Sequence, residues 1–284
     1  MRTINTILVK AFTLDKNQGN PAGVTLDADG LTDEQMRRIA QKVGASESVF
    51  VQESKKADFK LRFFSSVVEI NLCGHAALAA AHCLKQNSAT EKESIRFETK
   101  AGIVEVTYQD ELMLMRMPTP TSMPCKVEKP EIASLLNINY SEILDFPFEI
   151  ISTGTPKMMI GIKSLKSLFA ITPDFEAIKT LCLKTGARGL YAFTSETIDP
   201  SSDFHARQFN PLAGINEDPV TGVAAAALGA YATKHNLLNK KSFVVEQGHI
   251  MDRFGKIFVN LENGIQIGGF AVVYREMEFD VSQF

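Results

Sequence analysis

The chain has few cysteines, no basic excess and no long apolar run, and each shortage closes a class of function. Only four of its 284 residues are cysteine: Cys73, Cys83, Cys125 and Cys182. None forms a C-x-x-C pair, so neither a disulfide scaffold nor a thiolate zinc site is expected. The 30 lysines and arginines stand against 33 acidic residues, a formal net charge of -3. The cations form only short clusters such as Lys55-Lys56 and Lys240-Lys241, which argues against a nucleic-acid face and against an electrostatic membrane anchor. The N-terminal Met1-Arg2-Thr3-Ile4-Asn5 leads into an alternating pattern, so neither a signal peptide nor a membrane span is expected. A reducing cytoplasm is the expected compartment.

What is present suits a globular protein: 45% hydrophobic and 22% charged residues, at a length that favours two domains, each able to bury a core. Residues 4–12 read as a strand, and Gly19-Asn20-Pro21 as a turn. Thr32 caps a helix in which Met36, Ile39, Ala40 and Val43 form one buried face, closed by Gly44. Strands follow at 47–52, 59–63, 94–98, 103–108 and 112–117. Pro118, Pro120 and Pro124 then mark the expected linker. Beyond it come a helix near 130–136, strands near 148–153 and 157–162, a helix near 175–183, and strands near 242–247, 256–261 and 265–273.

Two segments have another texture. Residues 74–84 and 223–232 are nearly all small and apolar, and a helix apolar on every face is buried on every face. They belong to an internal repeat. Arg62-x-Phe, Glu69, Gly74 and Gly102 in the first half match Arg207-x-Phe, Glu217, Gly222 and Gly248 in the second. Two copies make two lobes, not a solenoid. The expected fold is α+β: two pseudo-symmetric lobes, each a curled, mostly antiparallel sheet around a buried central helix. The expected division is 1–118 plus 270–284 for one lobe and 119–269 for the other, with the chemistry in the cleft between them.

Gly74 and Gly222 each open a central helix, where unpaired N–H groups and a partial positive charge suit a carboxylate or a developing enolate. Four ionisable residues lie near these starts or share their motifs. Glu47 sits between two serines before an apolar run; desolvation in a closed cleft would lift its pKa toward neutrality. His75 follows Gly74, and a helix start disfavours its imidazolium, so a neutral ring is expected. Asp218 precedes Pro219 and could hold an amino or hydroxyl group, or simply make a turn. Cys73 is either a small buried residue or a thiolate base. The other four histidines show no metal spacing with His75, so no metal site is expected.

Gly19-Asn20-Pro21-Ala22-Gly23-Val24, Ser46-Glu47-Ser48-Val49-Phe50-Val51, Arg62-x-Phe, Cys73-Gly74-His75-Ala76 and Glu217-Asp218-Pro219-Val220-Thr221-Gly222 occur in that order. Together they resemble the phenazine-biosynthesis (PhzF-like) family over nearly the whole chain. The resemblance implies the diaminopimelate-epimerase fold and a cofactor-independent isomerase. It implies catalytic roles for Glu47, as the acid/base, and for His75 and Asp218. Substrate contacts are expected from Asn20, Cys73, Gly74, Thr221, Gly222 and Val223. There is one departure: the phenazine enzyme has a serine where this chain has Val223, which points away from the phenazine substrate itself. The epimerase cousins use one cysteine per lobe. Cys73 matches the first, but Thr221 stands at the second, and a hydroxyl is a far weaker base than a thiolate.

Three readings follow: a Glu47-centred isomerase on a small carboxylate-bearing molecule, an epimerase using Cys73 as one base, and a non-catalytic ligand- or protein-binding module on the same fold. A homodimer is the expected assembly. Neither nucleic acid nor a membrane is an expected partner.

Overall fold

The computed structural model describes residues 2–284. It divides into two units, Met1–Arg116 with Gly268–Phe284, and Met117–Ile267. The first contains β1 (Thr3–Ala11), β2 (Asn20–Thr25), α1 (Asp33–Val43), β3 (Glu47–Gln52), β4 (Phe59–Phe64), β5 (Glu69–Ile70), α2 (Gly74–Gln86), β6 (Ser94–Thr99), β7 (Gly102–Gln109) and β8 (Leu112–Arg116). The second contains β9 (Thr121–Pro124), α3 (Lys129–Leu136), β10 (Glu149–Ser152), β11 (Pro156–Gly161), α4 (Leu165–Ala170), α5 (Phe175–Thr185), β12 (Leu190–Thr194), β13 (Phe204–Asn210), β14 (Ile215–Asp218), α6 (Gly222–Lys234), β15 (Ser242–Gln247) and β16 (Gly255–Asn260). β17 (Gln266–Gly269) spans the return point, and β18 (Ala271–Asp280) closes the first unit.

The repeat read from the sequence is a repeat of topology. In the first unit β1–β2 is antiparallel, β2–β3 parallel, β3–β4 and β4–β5 antiparallel, β4–β6 parallel and β6–β7 antiparallel. In the second, β10–β11, β11–β12, β12–β13, β13–β14, β13–β15 and β15–β16 follow the same order of senses. α2 joins β5 to β6, and α6 joins β14 to β15. Both helices are alanine-rich, which favours the helix and lets strands approach closely. Ala76 to Ala81 and Ala224 to Leu228 are fully buried. α2 packs against β1, β2, β3, β8 and β18, and α6 against β10, β11 and β16. The expected α+β architecture of two lobes around central helices is present.

Local departures have physical causes. Gly19 alone makes the expected turn, at φ +76°, and Asn20 already opens β2. The proline-rich stretch is not only a connection: residues 121–124 pair with β10, and Pro124 sits at the last position of its strand, where a missing N–H is tolerated. The single C-terminal strand expected at 265–273 is two strands interrupted at Phe270, whose carbonyl accepts from Phe12 N–H at 2.7 Å. Helix α1 is capped by Thr32 as expected, with Gln35 completing a capping box, and buries Met36, Ile39 and Ala40, with Val43 partly covered.

One interaction recurs in both units. Arg62 on β4 forks onto Glu69 of β5 through Nε at 2.8 Å and Nη2 at 2.7 Å. Arg207 on β13 forks onto Glu217 of β14 at 2.8 and 2.9 Å. In each case the guanidinium also lies over the phenylalanine two residues on, Phe64 at 5.2 Å and Phe209 at 5.0 Å. This accounts for the Arg-x-Phe spacing, since residues i and i+2 share a strand face. The Arg62 fork holds the Glu69 carboxyl down at about 2. Arg207 Nη1 also donates to the carbonyls of Leu168 and Ile171 at the end of α4.

Replacing Arg207 by methionine should therefore cost about 3–5 kcal/mol, because it strands a largely buried carboxylate as well as two carbonyls. Urea denaturation would measure it. The double variant Arg207→Met with Glu217→Leu should recover part of the loss; an equal or larger loss would remove the fork as the cause.

Candidate active site

The first unit holds five of the expected site residues, Asn20, Glu47, Cys73, Gly74 and His75. β3 begins at Glu47, whose register partner on parallel β2 is Ala22. The two strands lie close because the next residue on β2 is glycine: a Cβ on Gly23 would meet Ser48 Oγ at 2.8 Å and Val43 Cγ1 at 2.9 Å. Asn20, buried, opens the same strand two residues earlier. On the other side, the Arg62–Glu69 fork fixes the hairpin from which the chain enters α2.

Cys73 is the residue before that helix and makes no side-chain cap bond. Its sulfur turns toward His75 instead, 3.4 Å from Nδ1. The other ring nitrogen, Nε2, lies 3.3 Å from Glu47 Oε2 and 3.5 Å from Ser46 Oγ. The ring is thus held between the thiol and the carboxylate, and Cys73, His75 and Glu47 are each at least largely buried.

The charges follow from these contacts. Burial alone would raise Glu47, but the hydrogen bond and charge of His75, with the Ser46 hydroxyl, bring its carboxyl below the ordinary 4.5. Burial alone would lower His75, yet its charged neighbours raise the ring above 6.5: the Cys73 sulfur in its thiolate form, and the Glu47 carboxylate. Burial drives Cys73 itself up, so it is a thiol at neutral pH, and the carboxylate is the standing anion. The resting site is an imidazolium–carboxylate pair beside a thiol. This reverses both expectations drawn from the sequence, an elevated Glu47 and a neutral His75. Desolvation acts as expected, but the neighbours at hydrogen-bond distance outweigh it. An imidazolium has two N–H donors, one for Glu47 and one for the sulfur. The donor atoms of Glu47, Cys73 and His75 lie within 4.8 Å of one another. As protonated here, only the carboxylate has a lone pair free for a cation.

The second unit gathers Asp218, Thr221, Gly222 and Val223. Asp218 ends β14, and Gly222 opens α6. Thr221 Oγ1 donates to Asp218 Oδ2 at 2.5 Å, so the threonine hydroxyl that stands where a second cysteine would be is committed to the aspartate. Val223 carries no hydroxyl, and its carbonyl accepts from Thr153 Oγ1 at 3.1 Å.

Two further residues shape this loop. Gln247, at the end of β15, donates through Nε2 to Asp218 O at 2.7 Å and to Thr221 Oγ1 at 3.2 Å. Its Oε1 accepts from Thr221 N–H at 3.3 Å and from Tyr191 OH at 3.2 Å. Lys157 on β11 is 2% exposed; burial lowers its pKa to about 8, with Asp218 as the largest opposing influence. Lysine within the apolar run Pro156-Lys157-Met158-Met159-Ile160 was a signal available in the sequence. Gln247 carried none, because its partners come from 26 and 29 residues away.

Among the described residues no helix is long and apolar enough to cross a membrane. The phenazine biosynthesis-like protein model (PhzC-PhzF) matches residues 9–277. The chain is 32% identical to the uncharacterised isomerase YfhB of Bacillus subtilis, over 92% of each chain. Its structure superposes on that of a Bacillus anthracis phenazine biosynthesis protein of the PhzF family with a TM-score of 0.90, at 33% identity over 99% of this chain and 100% of that one. A hydroxyproline epimerase from Agrobacterium vitis, 12% identical, shares the fold with a TM-score of 0.65 over 98% of this chain and 92% of that one. The chain belongs to the phenazine biosynthesis-like family and is an isomerase of that family.

Proposed function

We propose that this isomerase moves a proton on a small carboxylate-bearing molecule, with Glu47 as the acid/base and no cofactor. The observation that supports the reading is the buried Glu47–His75 pair, 3.3 Å between Oε2 and Nε2. A general base must be ionised before it can accept a proton, and His75 keeps Glu47 ionised. In the resting pair Glu47 is a weak base. A substrate carboxylate that takes the His75 Nε2–H draws that hydrogen bond away from Glu47 and sets a second negative charge beside it, while its burial remains. Desolvation is then opposed less and raises its basicity. Glu47 takes a proton from carbon beside an activating group, the electron pair shifts along the substrate, and the proton is returned at another carbon. The N–H groups at the α2 start stabilise the negative charge that develops. By family resemblance, Asp218 takes an amino or hydroxyl group of the substrate.

The rival reading, an epimerase with Cys73 as base, needs a thiolate. Burial holds Cys73 in the thiol form, and Thr221 is tied to Asp218.

Three outcomes are expected once a substrate is identified by screening small carboxylates for deuterium wash-in. Glu47→Gln should lower turnover by about 10²–10⁴-fold, read by mass spectrometry in deuterated solvent; full turnover in this variant would end the proposal. Cys73→Ala should keep the bulk of the wash-in, whereas its loss would favour the epimerase. The third concerns pH. The free enzyme, reported by kcat/KM, should lose activity only below 4.5, because its Glu47 lies under that value. The complex, reported by kcat, should have its acid limb above 4.5. Coincident limbs would show that the substrate does not displace Glu47 from His75.

A further inference from the structure

A second cluster of histidines lies wholly within the second unit and is not used by the chemistry above. His205 on β13 and Glu246 on β15 are register partners on adjacent parallel strands. Both side chains are 1% exposed. His205 Nδ1 is 2.8 Å from Glu246 Oε1. The carboxylate is otherwise saturated: Oε1 also accepts from Ile198 N–H at 2.5 Å, and Oε2 from Asp199 N–H at 3.1 Å. An acceptor-only partner requires Nδ1 to carry the proton. Nε2 is left as the outward nitrogen, and it is buried with no hydrogen-bond partner.

His249 faces it from the turn after β15. Its Nδ1 is likewise buried with no partner, and the two rings are 4.9 Å apart. Phe254 stacks on His249 at 4.9 Å and 9°, and Phe169 meets His205 edge-on at 5.0 Å. Burial disfavours the charged form of the His249 ring. Lys256, the cation that also bears on His249, is occupied by Asp199 at 2.6 Å and Ser201 at 2.9 Å.

We propose that His205 and His249, with Glu246 behind His205, bind a borderline divalent transition-metal ion of the zinc class. Two buried imidazole nitrogens without partners sit on rings 4.9 Å apart, and a carboxylate fixes the tautomer of one of them. A carboxylate–histidine–metal arrangement is built in this way, the outer carboxylate orienting the ring and making it a better donor. Nitrogen donors suit zinc, nickel or copper, and magnesium and calcium prefer oxygen. The donor atoms of His205, Glu246 and His249 lie within 4.8 Å of one another. Zinc needs its nitrogens roughly 3.3 Å apart at tetrahedral geometry, so the site closes slightly on loading. His249 can supply that movement: it is half-buried and rides on the short turn His249–Met251, flanked by Gly248 at φ +95° and Asp252 at φ +51°. Ile250 and Phe254, on and beside this turn, are exposed. Spacing along the chain gives no hint of the site, since 40 residues separate Glu246 from His205 only to be closed by strand pairing.

The test is calorimetric titration of zinc, with magnesium as control, into untagged, chelator-stripped protein. The expected result is one saturable zinc site that magnesium does not fill. His249→Ala, a change at a half-buried position whose folding is checked by its melting temperature, should abolish it. Glu246→Gln should weaken it by about 10- to 100-fold. Cys73→Ala should leave it intact, which separates this site from the Glu47–Cys73–His75 group. Absence of zinc binding by the unaltered protein, binding that survives His249→Ala, or binding lost in Cys73→Ala would each overturn the proposal.

Discussion

A guanidinium forked onto a carboxylate, once in each unit, is the interaction on which the site's construction depends. Arg62–Glu69 and Arg207–Glu217 each tie a long strand to the short strand that folds back on it. Five residues later, in both units, a glycine opens the central helix. The fork therefore ties down the hairpin from which the chain enters each helix. Apolar packing alone would hold an alanine-rich helix in its sheet without fixing its rotation, because small side chains offer few distinguishing contacts. The charged hairpin supplies that missing constraint at a place where the chain turns sharply.

The acid/base pair shows why a single residue's surroundings cannot be inferred one effect at a time. Desolvation raises Glu47 and lowers His75; each alone would give a neutral site. Put 3.3 Å apart, each group favours the charged form of the other, and both shifts run toward the ionised pair. Cys73, the third member, then meets an imidazolium N–H, but burial still keeps it a thiol.

The elements that carry their own signature were legible in the sequence. Residues 74–84 and 223–232 announced buried helices by texture, and Glu47–Gln52 announced a strand by its apolar, β-branched run. The repeat of Arg, Glu and Gly announced a duplicated topology, and the ordered motifs announced the family. Illegible features were those made by distant partners. The short strand β14 is too brief to show alternation. Proline at 118, 120 and 124 hid β9, which exists because β10 offers it a partner. The signs of the Glu47 and His75 shifts required their separation in space. Gln247, which braces the Asp218 loop, and the His205–Glu246 pair both arise from β15 lying beside β13, a parallel neighbour reached only after a whole helix.

The pairing of β1 with β18 has a consequence for how the chain is made. Their register runs from Thr3 opposite Asp280 to Ala11 opposite Ala271, so β1 lacks this neighbour until β18 is synthesised. Met117–Ile267 is continuous and contains all the strands of its own repeat. Its residues are in hand while β1 still presents an open edge, and sequence-distant pairing of this kind closes slowly. The unit that holds Glu47 and His75 is therefore the one whose sheet is finished last.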